Sequence, residues 1–215
     1  MKRILTIALA LAFAGCICCG AYAQAAASTS NDQAANMGSG MVKEGSEKIA
    51  ILGAANYGDV AGDFDGYAAL FMVAGEYGYM VCDQFELAAR ATIALAQAGA
   101  SGNTIRLQEY SLTVIPKWRI PMEGNISPYV GPKAGLAYVT ASGAGALKVA
   151  AVGNTFHNAV FVWGAVLGAD IFLSKQTSLF VEYDYTQFKL NGSDLGGGSI
   201  RIRDNGISAG LAYWW

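Results

Sequence analysis

From Lys48 to Trp215, apolar and polar positions alternate with a period of two, interrupted by clusters of Gly, Asn, Asp and Ser. Successive side chains of an extended strand point to opposite faces, so the alternation reads as a series of strands with one apolar and one mixed face. Two stretches carry the pattern most plainly. Between Leu179 and Phe188, Val181, Tyr183 and Tyr185 alternate with Glu182, Asp184 and Thr186. At the C-terminus Ile207, Ala209, Leu211, Tyr213 and Trp215 share a face opposite Ser208, Gly210 and Ala212. The turn clusters predict eight strands, at about 48–57, 67–78, 86–98, 105–118, 128–139, 159–172, 178–189 and 205–215. Pro128 and Pro132 argue that the fifth begins a little later, because proline removes a ladder donor.

A strand whose apolar face ends in an aromatic residue has that face in hydrocarbon and its end at a membrane interface. The pattern therefore predicts an all-β fold, an eight-stranded antiparallel up-and-down transmembrane β-barrel over 48–215. An even strand number puts both ends of the barrel on the periplasmic side and the connections 58–66, 99–104, 140–158 and 190–204 outside. The last two are long and rich in Gly, Ala, Asn and Ser. Asp59, Asp63 and Asp65 make the first acidic, which reads as a solvated turn rather than a calcium site.

The N-terminus supplies a matching address. Lys2 and Arg3 precede an apolar run from Ile4 to Cys19 and then Ala21-Tyr22-Ala23, the form of a secretory signal peptide cut before Gln24. A competing reading makes Cys16 a lipid-modified N-terminus after Phe13-Ala14-Gly15. Residues 24–47 are small and polar, without strand or helix periodicity, and are expected to form a mobile periplasmic leader.

Composition agrees. Hydrophobic residues are 53% of the chain and charged residues 14%. A soluble lipocalin-like barrel or sandwich would bury its apolar face and needs more surface charge than that. Three of the 4 cysteines fall in the signal segment, leaving Cys82 and no internal disulfide. Without Lys2 and Arg3 the mature chain has 12 basic against 16 acidic residues, a net of −4, which disfavours a nucleic-acid partner.

Charge on a lipid face is costly, so the acidic positions of each strand must point inward. That rule places Glu76, Glu86, Arg90, Glu109, Lys117, Lys133, Asp170, Glu182 and Asp184 in the lumen, where opposite charges should pair as a plug. Gly131, Gly135, Gly164, Gly168 and Gly210 share the inner face and would thin that plug. Outward aromatics form candidate girdles: Trp118, Phe172 and Trp215 at the periplasmic ends, with Tyr57, Tyr67, Tyr110, Tyr138, Phe161 and Tyr185 toward the outer rim.

Three stretches resemble the small outer-membrane barrels of the opacity and OmpA-like surface-protein group. They are Ser127 to Val139 (SPYVGPKAGLAYV), Ser178 to Thr186 (SLFVEYDYT) and Gly206 to Tyr213 (GISAGLAY). The resemblance implies insertion by the outer-membrane assembly machinery, which reads the last strand, so Ile207, Leu211, Tyr213 and Trp215 become the expected assembly signal. It also implies roles in envelope integrity, adhesion or host contact; outer-membrane lipid and lipopolysaccharide are the expected surroundings, and a monomer the expected state. The chain departs from the group in ending Tyr-Trp-Trp instead of in Phe.

Candidate chemistry is thin. His157 is the single histidine, in a predicted outer loop, and no serine follows it at the near spacing that barrel lipid A deacylases show. Gly192 to Gly198 is glycine-rich but lacks the Lys-Ser/Thr and helix of a phosphate-binding loop. Arg201 and Arg203 alternate just after it, able to touch lipopolysaccharide phosphates but read first as strand extension above the membrane. No cofactor or metal motif is present. The expected function is a non-enzymatic surface barrel with a plugged lumen; the alternatives are a narrow pore for ions or small solutes and, behind it, a lipid A-modifying enzyme using His157.

Overall fold

A computed structural model describes residues 42–62, 66–100, 103–120, 122, 124–144, 155–191 and 199–215. Eight strands follow one another in order: β1 (Glu47–Gly62), β2 (Gly66–Cys82), β3 (Phe85–Ala100), β4 (Asn103–Arg119), β5 (Ile126–Ala144), β6 (Thr155–Phe172), β7 (Thr177–Asn191) and β8 (Ser199–Trp214). Each pairs antiparallel with its sequence neighbours, and β1 closes on β8 with Ile49 opposite Tyr213 and Ile51 opposite Leu211, giving one closed barrel. Closure leaves no sheet edge, the condition for crossing hydrocarbon with strands.

Every strand has 15 to 19 residues, more than the roughly ten a tilted strand needs to cross a bilayer. The expected strands were therefore too short, and the outer connections shrink accordingly. β5 runs to Ala144, β6 starts at Thr155, β7 ends at Asn191 and β8 starts at Ser199. Polar residues at these outer ends read as loop in the sequence, but ladder hydrogen bonds continue through them. His157 belongs to β6, opposite Thr140, and its side chain lies outside the described residues.

The fifth strand begins earlier than its prolines suggest. The β4–β5 register passes from Val114–Ala134 to Trp118–Val130, and carried across the interval it sets Pro116 opposite Pro132. Two residues without N–H groups face each other, so the ladder lapses once there instead of losing a donor in two places. Pro128 fits because its carbonyl accepts from Ile120 N at 2.9 Å.

The last residues of the expected leader are held on the barrel base. Val42 is buried among Met80, Phe172 and Trp214. Gly45 N donates to Met80 O at 2.9 Å, and Met80 N donates to Ser46 O at 2.9 Å. Gly45 takes φ +85°, a left-handed conformation that favours glycine. The expected signal peptide, the Cys16 alternative, the leader before Val42, Asp63 and Asp65, and the 192–198 glycine loop lie outside the described residues.

The outer wall is apolar. Ile51, Val73, Leu112, Leu136, Phe161 and Ile207 all stand exposed on it, as a lipid-facing band requires. Trp118, Tyr213 and Trp215 face outward at the end that holds the start of β1 and the end of β8, and Tyr110, Tyr138, Phe161 and Tyr185 lie toward the other end. Phe172 is a correction. It is buried and faces inward against Trp214, ring centroids 5.9 Å apart, because it shares parity with the inward Asp170. The side chains of Tyr57 and Tyr67 are outside the described residues.

Candidate functional site: the charged interior

Most of the described inward charge lies toward the end of the barrel that carries the start of β1 and the end of β8. Five cations, Lys48, Arg90, Lys117, Arg119 and Lys133, meet five carboxylates, Glu76, Glu86, Asp170, Glu182 and Asp184, and all ten are buried. The two signs balance. Moving an ion out of water costs several kcal/mol even after relaxation, so a set like this persists only when every charge is paired and hydrogen-bonded.

Arg90 is the hub. It lies opposite Glu76 in the β2–β3 register, and its Nε donates to Glu76 Oε2 at 2.8 Å. Its two terminal nitrogens also grip Glu182 across the lumen, Nη1 to Oε1 at 2.7 Å and Nη2 to Oε2 at 3.0 Å, while Nη1 reaches Asp184 Oδ2 at 3.2 Å. A planar guanidinium can serve three carboxylates this way; an ammonium cannot. Lys117 Nζ donates to the other Glu76 oxygen at 2.6 Å. Lys133 Nζ reaches Asp184 Oδ1 and Thr186 Oγ1, both at 2.5 Å.

A lower tier sits at the barrel base. Arg119 binds Glu86 through Nε at 3.0 Å and also through Nη2, and reaches Asp170 Oδ2 at 2.8 Å. Lys48 joins the tiers, with Nζ 2.8 Å from Glu76 Oε1 and 2.5 Å from Glu86 Oε1. Neutral groups finish the packing. Tyr129 donates its hydroxyl to Glu182 Oε2 at 3.0 Å, and its ring lies 4.7 Å beneath Lys117 Nζ. Trp214 Nε1 donates to Ser178 Oγ at 3.0 Å, and the indole lies under Arg119, 4.8 Å away. Above the charges the interior turns apolar, with Leu107, Ala137, Val139, Val160, Val162, Phe188 and Ile202 packed together.

Of the nine residues expected in the lumen, eight join this network. Glu109 is inward on β4 but enters no ion pair among the described residues; it stands above the balanced set as an odd carboxylate. Lys48, Arg119, Tyr129, Ser178 and Trp214 were missed. Lys48 is the first residue of the expected first strand and Arg119 lies one residue beyond the expected fourth, where extending the alternation by one step from Lys117 would have found it.

The inward glycines stand where the barrel wall leaves no room for a side chain. A Cβ on Gly164 would stand 1.9 Å from Tyr185 O, one on Gly135 2.1 Å from Leu112 O, and one on Gly131 2.1 Å from Pro116 O. The wall bends so sharply there that the neighbouring strand's backbone occupies the Cβ position. At Gly210 a Cβ would stand 2.2 Å from Ile51 O and 2.7 Å from the Phe180 ring, and at Gly168 2.7 Å from both the Tyr129 ring and Val181 O. These glycines set curvature and make room for the inward rings. Among the described residues no group of three or more His, Cys, Asp or Glu is arranged to hold a metal ion.

The C-terminal residues expected to act as an assembly signal, Ile207, Leu211, Tyr213 and Trp215, line the outer face of β8, with Tyr213 and Trp215 stacked at 6.0 Å.

Comparison with known proteins places this geometry. A family model described as the outer membrane protein beta-barrel domain matches residues 9–214. Neisserial surface protein A superposes with a TM-score of 0.55 at 15% identity, covering 79% of this chain and 99% of its own. OprG of Pseudomonas aeruginosa gives 0.45 at 18%, covering 80% and 97%, and the attachment invasion locus protein Ail of Yersinia pestis 0.46 at 15%, covering 80% and 99%. A comparison with curated proteins finds no match. With the family model spanning nearly the whole chain and a closed barrel of eight strands, this protein belongs to the outer membrane protein β-barrel family and is an opacity- and OmpA-like barrel of the outer membrane.

Proposed function

We propose that this is a non-enzymatic surface barrel whose lumen is plugged by the five-on-five charge network, and whose work is done by the outer connections it anchors, in envelope integrity or adhesion. The observation that carries the reading is the Arg90 hub, which ties β2, β3 and β7 together across the interior through contacts of 2.7–3.2 Å to Glu182 and Asp184. Side chains fill an eight-stranded barrel, and opposed charges locked on one another leave no mobile field to draw an ion through. The apolar layer above adds a second barrier. On the same reading residues 1–23 are a cleaved signal peptide and the outer face of β8 is read during assembly.

The test is single-channel recording of the protein purified from outer membranes and reconstituted in planar bilayers, beside a heat-modifiable gel shift proving that it is folded. A folded protein with no steady conductance is expected. Steady conductance would replace the plug with a pore lined by Arg90, Lys133, Glu182 and Asp184.

A further inference from the structure

Side chains that point inward at the very end of a barrel strand stand at an open mouth and should be wet. Four of them are not. Lys48 is the second residue of β1, and Arg119, Phe172 and Trp214 are the last of β4, β6 and β8. Their exposures are only 2%, 3%, 6% and 2%. Residues 42–46 reach over this mouth. Val42 is buried in one cluster with Met80 of β2, Phe172 of β6 and Trp214 of β8. β2 and β6 are four strands apart in the ring of eight, on facing walls, so a side chain clustered with both stands near the barrel axis.

The segment is shaped for that position. Ser46 N donates to Lys43 O at 3.0 Å, and Gly45 has φ +85°, so residues 43–46 form a type II turn with glycine at the place that needs a positive φ. Lys43 N closes the turn further by donating to Ser46 Oγ at 3.2 Å. The turn reverses the chain before β1 and aims Val42 back over the lumen. Gly45 N donates to Met80 O, and Met80 N to Ser46 O, both at 2.9 Å, and Glu44 N donates to Asp83 Oδ1 at 2.9 Å. Lys43, Glu44 and Gly45 are themselves exposed. β1, by contrast, is held by a ladder on each side. Lifting the segment therefore breaks a few solvent-accessible bonds and uncovers one side chain, and both β1 ladders survive.

We propose that residues 42–46 are a lid on this mouth of the barrel, hinged at Gly45 with Val42 as its apolar stopper, and that it opens while the barrel stays folded. Directly inside are the Trp214 ring and, 5.1 Å and 4.8 Å from it, the charged groups of Lys48 and Arg119, which hold Glu86 and Asp170. A closed lid keeps water from these ion pairs and so strengthens them. An open one admits water and small polar solutes to the lower tier from this side. The lid acts whether or not the rest of the lumen conducts.

Thiol accessibility in the protein purified from outer membranes and held in lipid vesicles tests it. Met80→Cys puts the reporter beneath Val42 and keeps the backbone bonds of residue 80; Cys82→Ser removes the exposed native thiol. A small charged methanethiosulfonate should label residue 80 at a rate that stays flat in urea below the unfolding transition, because only the lid must open. Val42→Asp or Gly45→Val should raise that rate at least about tenfold, and Val42→Ile should leave it slow. Ala137→Cys, in the apolar layer of the other half, should not be accelerated by either lid variant. Each variant must show the heat-modifiable gel shift. Labelling of residue 80 only as the barrel unfolds overturns the proposal, as does an unchanged rate in the folded lid variants. Equal acceleration at residue 137 overturns it too, since the whole barrel would then be loosened.

Discussion

Removing Arg90 should expose how the interior is held. The guanidinium serves Glu76, Glu182 and Asp184, but their losses differ. Glu76 keeps Lys48 at 2.8 Å and Lys117 at 2.6 Å, and Asp184 keeps Lys133 at 2.5 Å. Glu182 is left with Lys117 at 3.7 Å and the Tyr129 hydroxyl. Arg90→Met therefore strands one buried carboxylate, and breaking a buried pair from one side costs about 3–5 kcal/mol. With a urea m-value near 2 kcal/mol/M, the unfolding midpoint should fall by about 2 M. Adding Glu182→Gln removes the stranded charge and should recover at least about 1.5 kcal/mol, so the double variant is the more stable of the two. Tryptophan fluorescence during urea unfolding in phosphatidylcholine vesicles reads both numbers. A loss under about 1 kcal/mol in Arg90→Met, or a double variant no better than the single, would show that water or rearranged lysines replace the hub and that the network is loosely held.

Other outcomes follow from the same geometry. Glu109→Gln should cost less than about 1 kcal/mol in the urea assay, because that carboxylate lies outside the paired set. Gly164→Ala should reduce the folded, heat-modifiable fraction sharply, since its Cβ would meet Tyr185 O at 1.9 Å, whereas Gly75→Ala, with nothing within 4 Å, should be silent. Trp214→Ala should cost about 3–5 kcal/mol and Trp215→Ala under about 1, because the first is 2% exposed and the second 52%. Leu112→Arg, at a lipid-facing position near mid-strand, should destabilise by about 2–4 kcal/mol in vesicles.

Much of this was legible because one rule, charge away from lipid, fixes the direction of every strand once a single acidic residue is placed. Asp184 orients β7, and Glu182, Thr186 and Phe188 follow from parity. The same rule should have turned Phe172 inward, two residues from Asp170; an aromatic near a strand end was read as girdle when parity said otherwise. Lys48 and Arg119 were hidden by the ends of the strands, where alternation has no following residue to anchor it. The outer boundaries were hidden for another reason: above the membrane both faces of a strand are wet, so β5 beyond Val139 and β8 before Asn205 lose the contrast that marks a strand. The glycines were misread because their meaning lies in the adjacent backbone, which no single-strand pattern contains.

The interior network also has a bearing on how such a chain comes to be a barrel. Its partners are distant in sequence, Arg90 and Glu182 being 92 residues apart and Lys133 and Asp184 51. The Arg90 to Glu182 contact joins β3 to β7 across the lumen and cannot form in an open sheet that lacks β7, and such a sheet would turn unmatched charge toward hydrocarbon at prohibitive cost. Partly built intermediates are thus expelled from the bilayer interior, and insertion becomes an all-or-none event gated by the meeting of the first and last strands. Long-range pairing of this kind is slow by chain-entropy alone. The same ten charges that lock the finished barrel make its unassisted assembly slow, and kinetic protection against unfolding in place follows from the same topology.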